Sequence, residues 1–409
     1  MTAHTATATP TARAAIIAIA VSQTLVWAGL YYSFPALLLV WESEGWSRES
    51  LTLSFTLALL AATAAAPVFG ALVDRGVGRV AMLAATCLGA VALAGLALAD
   101  GIAVFGLVWI VIGASMGGSL YETCFAVVTR ADGALARRRI TAITLVAGFA
   151  STLSFPAAAA LAAAFGWRGA VLTGAGVILV LAVPLLWWGL GVLERHAAPL
   201  PPQVERGAAP GPWRSRAFWL MFLGFPCLAL NHGILITHFL PMLAERGVDE
   251  SAGLLAVSLI GPMQVAGRLA MIAAERHASA IGFALLACGA IAAASAVLMV
   301  SGAWFIPLAL FALLQGAAIG TTSILRPVIA AQFFGRSVFG IVSGWLAAPY
   351  IAASALAPVA GALLWRLGGY GLVLAVTCAV ALAALMLIAA LPRPAAPRPG
   401  ERVENRVES

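Results

Sequence analysis

The sequence predicts an all-α polytopic membrane protein with twelve transmembrane helices in two bundles of six. Three observations support this: twelve long apolar stretches, arginines concentrated in alternate gaps between them, and a polar segment that divides the stretches six and six. With 62% hydrophobic and 10% charged residues, the chain has too little polar surface for a water-soluble domain. Its mean hydropathy is +1.01. Almost all of it must face lipid or other helices.

Each apolar stretch is long enough to cross the hydrocarbon core of a bilayer, which takes about 20 residues of α-helix. The first six spans are predicted at 14–41, 49–73, 80–99, 102–128, 140–164 and 170–193. The last six are predicted at 217–243, 251–274, 278–300, 304–331, 338–364 and 370–390. An even number of spans places both termini on one side of the membrane.

The arginines predict which side that is, because basic residues are retained in short cytoplasmic loops during insertion. One side carries Arg13, Arg75, Arg79, Arg130, Arg137, Arg138, Arg139, Arg195, Arg206, Arg214, Arg216, Arg276, Arg336 and the tail from Arg393. The other side carries Arg48, Arg168, Arg246 and Arg366. We therefore expect cytoplasmic termini and a location in the inner membrane of a bacterium.

The longest connection predicts the domain boundary. Residues 194–215 are rich in proline, alanine and charge, as an interdomain linker is. The sequence thus predicts an N-terminal six-helix bundle at 1–193, a cytoplasmic linker at 194–215 and a C-terminal six-helix bundle at 216–392. The polar residues 393–409 are expected to form a disordered cytoplasmic tail.

The two predicted bundles resemble each other. Three pairs of residues occupy matching positions in the two halves: Pro35 and Pro241, Pro156 and Pro358, and Glu122 and Arg326. An aromatic residue, an arginine and a glycine follow both the fifth and the eleventh span. Such repeats indicate duplication, and ligand sites in duplicated membrane proteins lie near the midplane where the halves meet.

The loop after the second span contains the most specific local motif. Gly70, Asp74, Arg75, Gly78 and Arg79 spell G-x-x-x-D-R-x-x-G-R. This pattern, with twelve spans and a central cytoplasmic loop, resembles the major facilitator superfamily over essentially the whole chain. Its glycines permit a tight turn, and Asp74 is suited to a neighbouring helix N-terminus or to an arginine of another helix. We expect Gly70, Asp74, Arg75 and Arg79 to form a latch that opens during gating.

Within that superfamily the chain resembles the monocarboxylate porter and oxalate/formate antiporter branch. The similarity lies in the segment EGWSRESLTLSFTLAL before and within the second span, and in GPMQVAGRLA of the eighth. The resemblance implies that Arg268 binds a substrate carboxylate. Two departures matter, since Gln264 stands where animal members have an aspartate and Ala36 where they have a lysine. The coupling scheme based on those two residues cannot operate here.

The depth of Arg268 in its span also marks it as an anion-binding candidate, independently of the resemblance. It lies roughly 12 Å from the cytoplasmic end of its span, so its side chain cannot easily reach bulk water. An arginine at membrane depth costs roughly 2.5–3.5 kcal/mol on insertion scales and usually faces a cavity or a partner. Gln264 lies one turn away on the same face. Either the pair binds a carboxylate, for which arginine offers two parallel donors, or Arg268 belongs to a permanent ion pair.

Glu122 is the natural partner in such a pair, because it is the only carboxylate deep within any predicted span. Three interpretations are open. Glu122 pairs with Arg268 or Arg326 as a gate that breaks when substrate enters, it is a protonatable coupling group, or it only neutralises a buried arginine.

Weaker candidates for substrate contacts lie in three other spans. Tyr31 and Tyr32 precede Pro35 in the first span, and Tyr121 is adjacent to Glu122. In the seventh span, Asn231 and His238 are seven residues apart and share a helical face. A histidine in a span is as often a residue that hydrogen-bonds neighbouring helices, so each of these roles has a structural alternative.

These features favour a secondary transporter of a small organic anion, by symport or antiport, over three alternatives. An exporter of drugs or other hydrophobic compounds is the rival carrier, but a cation exporter needs excess carboxylate at the midplane. A membrane-embedded enzyme or a non-transporting receptor is the alternative of another class, yet no catalytic constellation or phosphate-binding loop is visible. The chain has no lysine, and its five cysteines lack metal-ligand spacing. We expect a monomer with no cofactor, no metal and no nucleic-acid partner.

Overall fold

The computed structural model describes residues 10–131, 135–195, 197, 212–274, 277–302, 304–336 and 338–392. Its secondary structure within these ranges is helical. Most of the predicted linker, residues 198–211, and the predicted tail at 393–409 lie outside the described residues. Arg206 and Arg276, two of the arginines used to predict orientation, lie outside them as well.

The first half of the chain contains nine α-helices and the second half contains six within the described residues. The first nine are α1 (Pro10–Val26), α2 (Ser33–Ser43), α3 (Arg48–Asp74), α4 (Gly78–Leu96), α5 (Ile102–Ser119), α6 (Tyr121–Ala131), α7 (Ala136–Ala147), α8 (Ala150–Val177) and α9 (Val183–Arg195). The others are α10 (Arg216–Glu245), α11 (Glu250–Ser258), α12 (Ile260–Ala273), α13 (Ala280–Val300), α14 (Phe305–Phe334) and α15 (Phe339–Ala389). Single π-helical turns at Trp27–Tyr31 and Ile178–Ala182 join α1 to α2 and α8 to α9.

Ten helical stretches among these residues are long and apolar enough to cross a membrane. Two of them, Ala136–Arg195 with 60 residues and Phe339–Ala389 with 51, exceed one bilayer thickness. Each contains a glycine with positive φ, Gly166 at 70° and Gly369 at 63°. The two ends of each stretch join the same core cluster, which indicates that the chain turns back at these glycines.

Polar contacts define two faces of the bundle. We call one the arginine-rich face; there Arg79 contacts Glu194, and Asp74 contacts the beginning of α15. On the opposite face, Arg168 donates to the carbonyls of Ala97 and Ala99. The positions of these arginines agree with the alternation that the sequence predicts.

The apolar core is shared at one face and divided at the other. On the arginine-rich face a single cluster contains residues of both halves, for example Phe125 of α6 and Leu346 of α15. On the opposite face, one cluster around Trp41 and Trp109 belongs to the first half. Separate clusters, one of them around Phe311, belong to the second. The halves are therefore packed together at the arginine-rich face and have separate cores at the opposite face.

Glycines bring equivalent helices into backbone contact in each half. In the first half, a Cβ on Gly113 of α5 would overlap the backbone of Ala58 in α3. In the second, a Cβ on Gly316 of α14 would come within 2.6 Å of the Ile260 carbonyl in α12. Small residues four apart allow such packing in membranes, where no hydrophobic force drives helices together. This shared pattern adds to the resemblance between the halves.

Side-chain caps fix the helices that begin on the opposite face. Ser47 accepts a hydrogen bond from the Ser50 amide at the start of α3. Asp249 accepts from the Ser251 and Ala252 amides at the start of α11. The hydrogen bond from the Ser251 hydroxyl is the main cause that lowers the pKa of Asp249. Both caps satisfy amides that a helix leaves without intrahelical partners.

We predict that Gly316→Leu destabilises the protein, because its side chain would force α14 away from Ile260 in α12. Overpacking of this kind typically costs about 1–3 kcal/mol. Gly289→Leu in α13 is the matched control, since a Cβ there meets no atom within 4 Å. Thermal unfolding in detergent should show a lower Tm for Gly316→Leu and little change for Gly289→Leu. Equal Tm values would contradict the proposed close packing.

Candidate functional site

An ion pair between the halves lies at the centre of the candidate site. Arg326 of α14 donates through Nη2 to Oε1 of Glu122 in the first turn of α6. The two side chains are only 7% and 16% exposed. The repeat-related positions of opposite charge thus bind each other directly. Of the partners that the sequence left open for Glu122, the structure brings Arg326 to it and gives Arg268 other partners.

Arg326 has two further contacts within the second half. Its Nη1 lies 3.4 Å from the carbonyl oxygen of Leu346 in α15. Its guanidinium carbon lies 4.5 Å from the centre of the Tyr350 ring, a cation–π distance. The positive charge of Arg326 is therefore compensated by one carboxylate and one aromatic face.

Arg268 of α12 is 7% exposed. Its Nε donates to the carbonyl of Gly320 in α14 at 2.9 Å, and its Nη1 donates to the carbonyl of Thr144 in α7 at 2.9 Å. Neither acceptor carries a charge, and no carboxylate in the described chain pairs with Arg268. A guanidinium has five N–H donors, so this arginine keeps both an unmatched charge and unused donors.

Gln264 is half-buried one helical turn before Arg268. The Gln264 backbone packs against Gly320, because a Cβ added to Gly320 would overlap the Gln264 backbone. Its side-chain amide forms no hydrogen bond with another described residue. The proposed role of Gln264 beside Arg268 stays a prediction.

Aromatic side chains of the first half surround this region. Trp27, on the π-helical turn, lies 4.7 Å from Tyr121, 5.2 Å from Tyr31 and 6.1 Å from Tyr32, measured between ring centres. We call Trp27, Tyr31, Tyr32 and Tyr121 the aromatic cluster. Its members are half-buried. Tyr32 and Tyr121 lie within electrostatic range of Arg268, so the aromatic cluster is near the unmatched charge.

The structure keeps the two candidates of the seventh span away from Arg268. Asn231 is fully buried. Its amide donates to Ser295 and to the Thr377 carbonyl, and its oxygen accepts from Gln315. Asn231 therefore joins helices within the second half. His238 lies 3.1 Å from the Pro358 carbonyl, which can only accept, so its Nε2 carries the proton in that contact.

Several helices near the site are interrupted, and side chains satisfy the freed carbonyls. At the break between α5 and α6, the carbonyl of Ser119 accepts from Gln23 at 2.9 Å and that of Gly117 accepts from Thr123 at 3.0 Å. At the π-helical turn, the Ala28 carbonyl accepts from Ser154 at 3.0 Å. Irregular backbone at membrane depth requires such partners.

Two polar contacts close the arginine-rich face between the halves. Asp74 accepts hydrogen bonds from the amides of Gly340 and Ile341 at 2.8 and 2.7 Å, at the beginning of α15. A carboxylate at a helix N-terminus is favourable. Gly70 makes the approach possible, because a Cβ there would overlap the Gly340 carbonyl. The predicted preference of Asp74 for a neighbouring helix N-terminus is what the structure shows.

The basic partner in this closure is Arg336. Its guanidinium donates to the carbonyls of Thr129, Arg130 and Ala131 at the end of α6. The Arg75 side chain is exposed and forms no hydrogen bond or ion pair with another described residue. Arg79 stays within the first half, where it lies over the Trp187 ring and contacts Glu194. Of the predicted latch, Gly70 and Asp74 lie between the halves, whereas Arg75 and Arg79 do not.

A family model of the Major Facilitator Superfamily matches residues 19–307. The chain belongs to the Major Facilitator Superfamily. This family consists of transporters rather than enzymes. A comparison with curated protein sequences finds no match.

Solved structures of superfamily transporters share the fold. The human organic anion transporter MFSD10 (TETRAN) has a TM-score of 0.73 at 18% identity, over 92% of this chain and 99% of that one. FucP in the outward conformation, a fucose:proton symporter of E. coli, has a TM-score of 0.72 at 11% identity, over 92% and 98%. A bacterial homologue of ferroportin in an outward-facing state has a TM-score of 0.70 at 16% identity, over 91% and 98%. Identities this low establish the fold alone.

Three residues of the site have no counterpart in the sequence-based prediction. Trp27 lies on a π-helical turn in the middle of its span, and the sequence pattern assigns it no part in the site. Tyr350 lies about three turns past the start of α15, without any nearby charge in sequence. Arg336 contributes to the prediction only through orientation. A search for aromatic residues near midspan would find Trp27 and Tyr350.

We predict that Glu122→Gln lowers the stability of the protein, because it leaves Arg326 buried without its counterion. The expected cost is roughly 3 kcal/mol, the lower end of the range for breaking a buried pair, since Glu122 keeps some exposure. The double variant Glu122→Gln/Arg326→Gln should regain part of this loss. Glu42→Gln, which breaks the exposed pair with Arg48, is the control and should leave Tm nearly unchanged. A Tm for Glu122→Gln equal to that of the control would exclude a stabilising pair.

Proposed function

We propose that the protein is a secondary active transporter that moves a small organic anion, a monocarboxylate or a similar compound, by alternating access. The observation that carries the proposal is the unmatched charge of Arg268. A buried arginine with only backbone partners can still bind an anion, and its planar guanidinium suits a carboxylate. Gln264 supplies a second polar contact.

The charge of the whole region supports an anionic substrate. Glu122 and Arg326 neutralise each other, so Arg268 leaves one net positive charge at the described centre of the bundle. The rival carrier function, export of cationic drugs, would place a cation next to this charge and lose energy by repulsion. One structural neighbour is a human organic anion transporter, and its substrate class is compatible with the one proposed here.

The proposal includes an orientation and a state. Counting the two stretches that turn at Gly166 and Gly369 as two crossings each gives twelve spans, with both termini at the arginine-rich face. The positive-inside rule makes that face cytoplasmic. We infer an outward-facing state from the shared core and the two polar contacts at that face, and we assign the protein to a bacterial inner membrane. The two bundles, 1–193 and 216–392, would rock against each other around the central site.

Proton coupling, if present, would act through Glu122. It is the one carboxylate in the interior of the described membrane spans, and it touches the arginine of the other half. Protonation of Glu122 would release Arg326 and weaken the contact between α6 and α14. Symport and antiport both follow from this scheme, and the gradients decide the direction. The proposed protein acts as a monomer and needs no cofactor.

We predict that Arg268→Lys abolishes most carboxylate binding although it keeps the charge, because lysine cannot reproduce the two parallel donors. Removing one partner of a buried charge-assisted contact typically costs about 2–5 kcal/mol, which corresponds to at least about 30-fold weaker binding. Calorimetric titration with a panel of monocarboxylates and dicarboxylates measures this. Arg168→Lys is the matched control, since Arg168 also donates to two backbone carbonyls but lies on the opposite face.

The Arg268→Lys protein must first elute as a monodisperse peak. Glu122→Gln then separates binding from a structural role: a binding arginine loses affinity upon Arg268→Lys whatever residue occupies position 122. If adding Glu122→Gln to Arg268→Lys restores the affinity, the loss came from the charge balance between the halves and Arg268 is structural. Normal affinity in well-folded Arg268→Lys rejects the assignment.

We also predict that Asp74→Asn slows transport in proteoliposomes more than it weakens substrate binding. The asparagine loses the charge that favours the α15 N-terminus, so the population shifts toward the inward-facing state. Asp100→Asn, at an exposed position of the opposite face, should transport at the normal rate. If Asp74→Asn transports at the normal rate, the loop after α3 only ends a membrane span and does not act as a latch.

A further inference from the structure

The chemistry of the substrate can be narrowed by charge and by the side chains around Arg268; this step rests on the proposed function. Among the charged residues in the interior of the described spans, Arg326 is matched by Glu122 and Arg268 is unmatched. One positive charge in a medium of low dielectric constant balances one negative charge. A second carboxylate would enter without a counterion, which is costly.

Aromatic side chains of both halves lie near the two buried arginines. The rings of the aromatic cluster lie in the first half, and Tyr121 also stacks on Phe125 with 5.0 Å between ring centres. Tyr350 of the second half, which lies against Arg326, is near Tyr31 of the cluster. Two halves therefore present aromatic rings to the same central region.

The backbone of the first span is shaped around this cluster. Trp27 and Tyr31 are the first and last residues of the π-helical turn, and π-helical turns are frequent at functional sites. Gly29 within that turn allows the span to lie against Ile178, because a Cβ on it would come within 2.7 Å of Ile178 Cδ1. Ile178 itself begins the second π-helical turn.

These observations lead to one substrate class. We propose that the site binds an aromatic monocarboxylate, whose carboxylate group pairs with Arg268 and Gln264 while its ring lies against Trp27, Tyr32 and Tyr121. Aromatic rings in offset or edge-to-face contact gain more than their buried area alone provides. A saturated ring of the same size has no such gain. A dicarboxylate carries a second negative charge, for which the site has no counterion.

The test compares three probes on the full-length protein in detergent: benzoate, cyclohexanecarboxylate and phthalate. Benzoate and cyclohexanecarboxylate share size and charge and differ in aromaticity, whereas phthalate adds a second carboxylate. Calorimetric titration should give benzoate about tenfold tighter binding than cyclohexanecarboxylate, the factor expected from a few aromatic contacts. Phthalate should also bind more weakly than benzoate, because its second carboxylate has no counterion. Uptake of radiolabelled benzoate into proteoliposomes should show the same order in competition.

Trp27→Leu should remove most of the preference for benzoate over cyclohexanecarboxylate and leave the affinity for cyclohexanecarboxylate within about threefold. Trp46→Leu is the matched control, because Trp46 packs against Phe105 and Trp167 on the opposite face and should retain the preference. The probe series on the unmodified protein tests the inference even if Trp27→Leu does not fold.

The outcomes separate this inference from the proposed function. If all three probes bind in an Arg268-dependent way but cyclohexanecarboxylate equals benzoate, the aromatic assignment is wrong and the anion transporter stands. If phthalate binds as tightly as benzoate, the charge count is wrong. If neither these probes nor any member of the carboxylate panel binds, or if binding is unaffected by Arg268→Lys, the proposed function itself fails.

Discussion

A charge inside a membrane must be matched without the help of water, and this constraint organises the centre of the molecule. Arg326 and Glu122 satisfy each other across the two halves, so the ion pair also joins the halves. Arg268 has only the carbonyls of Gly320 and Thr144, which satisfy its donors in part but not its charge. The difference between these two arginines, one matched and one not, is the basis for proposing a binding site at the centre.

Other contacts hold the two halves together at the arginine-rich face. Gly70 allows α3 to approach α15 closely enough for Asp74 to reach two amides at its start. Arg336 makes the reverse contact, from the loop before α15 to the carbonyls that end α6. Carboxylate on a helix N-terminus and guanidinium on a helix C-terminus both follow the helix dipole. These contacts involve backbone groups, so the closure depends on helix ends remaining in register.

Much of this could be predicted from the sequence, and the failures have physical reasons. Apolar stretches and arginine placement indicate a multi-span membrane fold because lipid imposes both. The depth of Arg268 in its span predicts a buried arginine, and its side chain is buried. Asn231 and His238 do share a face of α10, but different parts of α15 cover that face at different depths. Periodicity along one helix does not contain such information. Nor does it show that Arg336, and not Arg75, reaches the other half.

The interruptions near the site have a mechanical consequence. A helix bends most easily where its ladder of hydrogen bonds is already broken, and the breaks between α5 and α6 and between α7 and α8 both lie in spans that contribute to the centre. Side chains such as Gln23 and Thr123 hold the freed carbonyls, and these bonds can be exchanged without exposing backbone to lipid. The helices α6 and α7 can therefore tilt separately from α5 and α8, which form the other parts of the same spans. The proposed rocking of whole bundles would then be combined with local bending. A ligand that binds at the centre would first move α6 and α7.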